Sequence, residues 1–317
     1  MCRKKLLLIS PLPEEYIHRL AAHFPHLVIA DCTQDRDRVL DEIRDASYVF
    51  GRPTREQFLA ATRLEFIQVW TQGVESILFP ELLASKVIVS NGKGVWSPAI
   101  AEHILAMILA LYRAIPTYLS FQHEKRWIQK GVTLDRLAGK TVCFVGTGDI
   151  AMHTVRLLQG FDCAIIGVNR TGAVPPGFAK VVGREGLLDF LSLADIVCCA
   201  LPFTPETYHF INDAAFSVMK NTALFINVGR GKTVDENALI RALQEDKIAG
   251  AGLDVFEQEP PAPDSPLWTM PNVIITPHIA GLDLEHSSRA FDLLVDNLQR
   301  IMENRPVRNQ IDKSRGY

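Results

Sequence analysis

No apolar run in this 317-residue chain approaches the length of a membrane span. The longest, Ile104 to Tyr112, stops between Glu102 and Arg113. The apolar stretch Leu6 to Ile9 after Lys4 and Lys5 is short and runs into Pro11 and Pro13, so a first strand is expected there rather than a signal peptide. An excess of basic charge is also missing: the net charge is −3, which argues against nucleic acid or an anionic membrane as a partner. The six cysteines, at 2, 32, 143, 163, 198 and 199, include no C-x-x-C and no Cys/His ligand spacing. They read as reduced core residues of a cytoplasmic protein with no metal site, Cys198 and Cys199 pointing to opposite faces of one strand. Low-complexity segments and repeats of solenoid period are likewise lacking.

What is present is the balance of a globular protein, 48% hydrophobic and 22% charged, in a chain long enough for two domains. Short apolar segments alternate with helical ones: strands at Leu6 to Ile9, Leu27 to Ala30, Ser47 to Phe50, Phe66 to Trp70 and Val87 to Ser90, with helices at Pro13 to His23 and Arg36 to Arg44 among them. That alternation predicts α/β domains with parallel sheets covered on both faces. Trp70-Thr71-Gln72-Gly73-Val74-Glu75 is a strand end entering a glycine turn, either an ordinary turn or a place where free amides receive a carboxylate. From Ser97, a plausible N-cap, an apolar helix runs through Ala99 to Arg113. Being apolar nearly all round, it should be buried, with a subunit interface as one way to bury it. His103 on it reads as a hydrogen-bonded histidine at a boundary.

The second half opens with strand, glycine turn and helix: Thr141 to Phe144, then Val145-Gly146-Thr147-Gly148-Asp149-Ile150-Ala151, then helix to Gln159. Gly146 permits the tight turn, Gly148 a close backbone approach to phosphates, and the helix N-terminus offers unpaired N–H groups to a diphosphate. A second strand, Cys163 to Val168, closes the βαβ unit and ends at Asn169, 23 residues past Gly146, where a carboxylate marks a preference for NAD. Asn169, Arg170 and Thr171 put a neutral group, a cation and a hydroxyl there, which suits a 2′-phosphate and favours NADP over NAD. Strands at Ile196 to Ala200, Ala223 to Val228, Ala249 to Asp254 and Val273 to Thr276 follow, and a helix from about Leu282 to Asn304 can return to the first half. Leu201 and Pro202 through Thr207 form a loop at a strand end, where open α/β sheets bind ligands.

Three titratable residues stand at or just beyond strand ends: Arg230 in Asn227-Val228-Gly229-Arg230-Gly231, Glu259 in Phe256-Glu257-Gln258-Glu259-Pro260, and His278 in Thr276-Pro277-His278. Singly, such residues are solvated or structural. Together they offer a carboxylate clamp, a proton donor and a group to tune it, which reduction of a 2-oxo acid requires.

These motifs, in this order and with Leu253-Asp254-Val255 and Ile279-Ala280-Gly281 beside them, resemble the D-isomer-specific 2-hydroxyacid dehydrogenases over nearly the whole chain. The resemblance implies two Rossmann-like domains, a flavodoxin-like substrate domain (1–97 and 286–317) and a dinucleotide-binding domain (98–285), with the active site in the cleft and homodimers formed around the cofactor domain. It makes His278 the general acid, Glu259 its partner and Arg230 the substrate clamp. Gln72, Gly73 and Val74 become the substrate-carboxylate loop, and Asp254 lines the nicotinamide site. Gly146 to Ile150, Asn169 to Thr171, Leu201, Pro202, Thr207, Val228, Gly229, Asp254 and His278 become the cofactor contacts. Ala151 departs harmlessly from the usual glycine, and Asn169 departs from NAD-specific members. Small 2-oxo acids of the glyoxylate and hydroxypyruvate type are the expected substrates. Phosphite oxidation on the same fold and a dinucleotide-sensing binding protein of the corepressor type are the alternatives.

Overall fold

The computed structural model describes residues 3–316, so Cys2 lies outside the described residues. The chain divides into two compact units, one from residues through Trp96 together with those from Asp283 onward, the other Ser97–Leu282.

The first unit holds a five-stranded parallel sheet of β1 (Lys5–Leu8), β2 (Val28–Asp31), β3 (Tyr48–Phe50), β4 (Phe66–Gln68) and β5 (Ile88–Ser90), in the order β2-β1-β3-β4-β5. This is the flavodoxin-like order, with the direction of winding reversing between β1 and β3. Leu6, Leu7, Leu8, Val49, Phe50, Phe66 and Ile67 are buried, as continuous apolar strands covered on both faces must be. The helix His286–Met302 packs Phe291, Leu294 and Leu298 into the same core as Leu6, Leu8 and Phe50, so the end of the chain completes the first sheet. Its buried Asn297 donates to Gln68 Oε1 at 2.7 Å and accepts from the Arg308 amide at 2.7 Å, fixing the register of helix on sheet.

The second unit holds seven parallel strands: β6 (Thr141–Val145), β7 (Ala164–Val168), β8 (Lys180–Val182), β9 (Ile196–Cys199), β10 (Leu224–Asn227), β11 (Gly250–Leu253) and β12 (Val273–Ile275). Their order is β12-β11-β10-β9-β6-β7-β8, reversing between β6 and β9. Such a reversal opens a crevice at the carboxyl ends of the two strands. The glycine turn after β6 lies there: Gly146 has φ +97°, and a Cβ on it would come within 2.9 Å of the Ala200 carbonyl oxygen beyond β9.

Three expectations are corrected and one strand is added. The segment Arg36 to Arg44 is a 3₁₀ turn, Arg36–Arg38, followed by one short helix, Val39–Glu42. Strand β8, Lys180-Val181-Val182, escaped notice because it is an edge strand with one fully buried residue, Val181, and only two apolar residues in a row. Ser97 is the first residue of the helix Ser97–Tyr112 rather than its cap; its hydroxyl is buried with no hydrogen-bond partner among the described residues. That helix buries Ile100, Ile104, Met107 and Ile108 on one face, packed on β10, β11 and the helix Asp149–Leu158, whereas Leu105, Leu109 and Leu111 stay half-buried. An apolar sequence sets no preferred face, so the packing had to choose one.

Candidate active site

The turn from β6 into the helix Asp149–Leu158 is built to accept an anion. Gly148 stands at the N-cap, so no side chain caps the helix, and the amides of Gly148, Asp149 and Ile150 donate to nothing among the described residues. A Cβ on Gly148 would meet nothing within 4 Å; the glycine leaves open space above the loop instead of filling the core. Asp149 Oδ2 is buried without a hydrogen-bond partner. Free amides, a helix N-terminus and open space over a glycine fit the diphosphate of a dinucleotide.

The Asn169 side chain is engaged in folding its own loop. Its Nδ2 donates to Thr147 Oγ1 at 2.9 Å and to the Ala173 carbonyl at 2.8 Å, while Oδ1 accepts from the amides of Thr171 at 3.0 Å and Gly172 at 2.7 Å. All four hydrogen-bonding capacities of the amide are thereby spent on folding its own loop and tying it to the glycine turn. Arg170 is left exposed, with no ion pair among the described residues. Across the crevice, Thr207 folds the loop after β9 by donating to the Pro202 carbonyl at 2.8 Å and accepting from the Thr204 amide at 2.8 Å.

Arg230 follows β10, Glu259 lies beyond β11 and His278 beyond β12, so the three share the carboxyl edge of neighbouring strands. Gly231 is required beside Arg230, because a Cβ there would stand 1.8 Å from the backbone of Phe256. That close approach presses the Arg230 turn against the segment leading to Glu259. His278 Nδ1 lies 2.7 Å from Glu259 Oε2, and Glu259 Oε1 accepts from the Phe256 amide at 3.2 Å. With Nδ1 engaged by the carboxylate, Nε2 is the imidazole nitrogen available to a substrate.

Asp254, only 2% exposed, gathers the His278 loop around itself. Its carboxylate accepts from Thr276 Oγ1 at 2.6 Å, the Ile279 amide at 3.0 Å and the Ala280 amide at 3.0 Å, and its carbonyl accepts from the His278 amide at 2.9 Å. These bonds hold His278 at φ +56°, a left-handed conformation that a non-glycine residue adopts only when its surroundings impose it. Behind Thr276 stands His103, with Nε2 3.0 Å from Thr276 Oγ1; burial holds its pKa below the ordinary imidazole value, with Asp254 pulling the other way.

In the first unit, the loop Thr71–Val74 turns its carbonyls inward. Asn91 Nδ2 donates to the Gln72 carbonyl at 2.8 Å, Arg52 and the Thr71 hydroxyl donate to the Gly73 carbonyl at 3.2 and 2.9 Å, and the Gly92 amide to the Thr71 carbonyl at 2.8 Å. The amides of Gln72, Gly73 and Val74 donate to nothing among the described residues. Arg52 and Asn91 were missed at the level of sequence; the signal for Arg52 was its place in Gly51-Arg52-Pro53, just past a strand end. No group of three or more His, Cys, Asp or Glu suited to a metal occurs among the described residues. The described cysteines are unpaired, and burial pushes the Cys143 thiol up to about 12, so it is inert.

The family described as D-isomer specific 2-hydroxyacid dehydrogenase, NAD binding domain, matches residues 105–280. The chain belongs to the D-isomer-specific 2-hydroxyacid dehydrogenases. A glyoxylate reductase of Thermofilum pendens is 34% identical over 315 residues, spanning 96% of this chain and 93% of that protein. Among solved structures, a D-isomer specific 2-hydroxyacid dehydrogenase of Xanthobacter autotrophicus in complex with NADPH superposes with TM-score 0.87 at 31% identity, covering 100% of both chains. An NADPH-dependent glyoxylate/hydroxypyruvate reductase of Sinorhizobium meliloti, in complex with NADP and sulfate, gives 0.86 at 26% identity, covering 99% of this chain and 100% of that one. As a member of this family the protein is an NAD(P)-dependent oxidoreductase of 2-hydroxy and 2-oxo acids, and its two parallel-sheet units are the family's fold. The dinucleotide-sensing binding protein gives way to an enzyme.

Proposed function

We propose that the enzyme reduces small 2-oxo acids of the glyoxylate and hydroxypyruvate type to D-2-hydroxy acids, with NADPH preferred over NADH. The observation that carries the reaction is the 2.7 Å pair of His278 and Glu259 at the sheet edge that also bears Arg230. A bound nicotinamide supplies the hydride for the carbonyl carbon. His278 gives the proton from Nε2 to the carbonyl oxygen, so the carbonyl becomes a hydroxyl. Glu259, hydrogen-bonded to Nδ1, keeps the imidazole ring in place with Nε2 left for the substrate. Arg230 clamps the substrate carboxylate and polarises the carbonyl. In the first unit, the amides of Gln72, Gly73 and Val74 make a loop suited to a carboxylate.

For the cofactor, Gly146, Thr147, Gly148, Asp149 and Ile150 hold the diphosphate, and Asn169 shapes the loop that presents Arg170 and Thr171 to a 2′-phosphate. Leu201, Pro202, Thr207, Val228, Gly229 and Asp254 line the remainder of the dinucleotide site. Two observations support the substrate and the cofactor: relatives named glyoxylate reductase align over nearly the full chain, and the structural neighbours cited above hold NADPH or NADP. The enzyme is a homodimer through the dinucleotide-binding domain and works in the cytoplasm, which the unpaired cysteines accord with.

The experiment is a matrix of NADPH and NADH against glyoxylate, hydroxypyruvate and pyruvate, with phosphite and NADP or NAD in the reverse sense. Oxidation of NADPH by the first two is expected to dominate. The Arg170→Ala variant should lose most of the preference for NADPH while keeping activity with NADH. A preference untouched by that substitution sinks the cofactor assignment, and turnover confined to phosphite sinks the substrate class.

A further inference from the structure

The helix Ser97–Tyr112 carries its histidine toward the loop that holds the general acid. His103 lies one turn before Met107, on the face packed against β11, where a Cβ on Gly252 would come 2.7 Å from the Met107 sulfur. Its Nε2 is 3.0 Å from Thr276 Oγ1, and Thr276 Oγ1 is 2.6 Å from Asp254 Oδ1. A threonine hydroxyl has one proton, and a carboxylate can only accept. Thr276 therefore donates to Asp254, and His103 must donate from Nε2 to Thr276, which fixes both the direction of the chain and the imidazole tautomer. Asp254 then receives three hydrogen bonds, two of them from the amides of Ile279 and Ala280 directly after His278.

We infer that His103 is a positioning residue for His278, acting through Thr276 and Asp254. The sequence gives no hint of this, since Thr276, Asp254 and His103 are spread over 173 positions. His103 polarises the Thr276 hydroxyl, so the short bond to Asp254 is charge-assisted at one end and fed at the other, as in cooperative hydrogen-bond chains. Without the Nε2 donor, the hydroxyl is free to rotate and the Asp254 carboxylate loses its anchor on that side. The backbone at His278, held in the left-handed region by this carboxylate, then relaxes, and Nε2 moves away from the carbonyl oxygen it must protonate. Proton transfer is sensitive to such displacement, while the glycine turn at Gly146 to Ile150 lies at another strand and is untouched.

The inference rests on His278 as the general acid in the reading above, so the test pairs an activity readout with one that needs no turnover. The variants are His103→Ala, His103→Gln, whose amide nitrogen restores a donor near the place of Nε2, Thr276→Val, and the double variant His103→Ala/Thr276→Val. Kinetics use glyoxylate and NADPH; hydrogen exchange at the amides of Ile279 and Ala280 is followed in the enzyme without cofactor. His103→Ala is expected to lower kcat roughly ten- to a hundredfold, with KM for glyoxylate changing far less, and to speed exchange at both amides. His103→Gln should recover most of both effects, and the double variant should be no worse than Thr276→Val alone. Unchanged exchange in His103→Ala, equal impairment in His103→Gln, or additive losses in the double variant overturns the inference. A wild-type enzyme inert toward every 2-oxo acid overturns the catalytic reading instead, and the exchange data still decide whether His103 holds the loop.

Discussion

His278 combines a strained backbone, φ +56°, with a side chain paired to Glu259, so its imidazole is held from both ends. Strain of this kind costs about 1–3 kcal/mol and persists because Asp254 supplies the compensating bonds. Replacing His278 with Asn removes the proposed proton donor and leaves the glycine turn at Gly146 to Ile150 intact. The expected result is a fall in kcat of roughly 10²–10⁴-fold with the affinity for NADPH held within about twofold, measured by steady-state kinetics and fluorescence titration. The three titratable residues were legible in the sequence because each stands beside a strand end, and strand ends can be read from short apolar runs. Thr276 and His103 were not legible in their parts, because a hydroxyl and an imidazole 173 positions apart meet only when helix and sheet are packed. Asn169 was legible as a missing carboxylate, and only the loop geometry shows that its amide is already saturated.

At the scale of elements, the sheet of the second unit is stitched at the amino ends of its strands by Asp195. Its carboxylate accepts from the Thr141 amide at 2.8 Å, at the start of β6, and from Lys220 at 2.7 Å, before β10. Burial tends to raise its pKa, but the bonds from Lys220 and Thr141 outweigh this and hold the carboxyl below its ordinary value. A depressed folded-state pKa contributes stability above the unfolded value that is lost as pH falls through the folded one. Asp195→Asn is therefore expected to cost about 1–3 kcal/mol at neutral pH, with the deficit against wild type shrinking once pH drops below about 4, as melting curves across pH will show. A deficit that stays constant down the acid range contradicts this account. Strands of four or five apolar residues were recovered from sequence with ends displaced by a residue or two. The edge strand β8, with a single fully buried residue, was not, and the segment 36–42 broke into a 3₁₀ turn and a single helical turn that its sequence pattern does not separate.

For the whole molecule, the segment after Tyr112 leaves apolar side chains in solvent: Ile115, Leu119 and, at 88% exposure, Trp127. Exposed apolar side chains of this kind are candidates for burial in the proposed homodimer. Light scattering is expected to return twice 35.4 kDa for the wild type and a shift toward that single mass for Trp127→Ser. A monomeric wild type removes the dimer from the proposal. Sequence by itself determined the class of fold, the parallel sheets, the glycine turn and the strand-end residues, because apolar runs and turn glycines act over a few neighbours. Tertiary structure alone decided which face of the 97–112 helix is buried, which amides at Gln72 to Val74 are left free, and how His278 is held. Those depend on hydrogen bonds and packing between segments far apart in the chain, which no local pattern encodes.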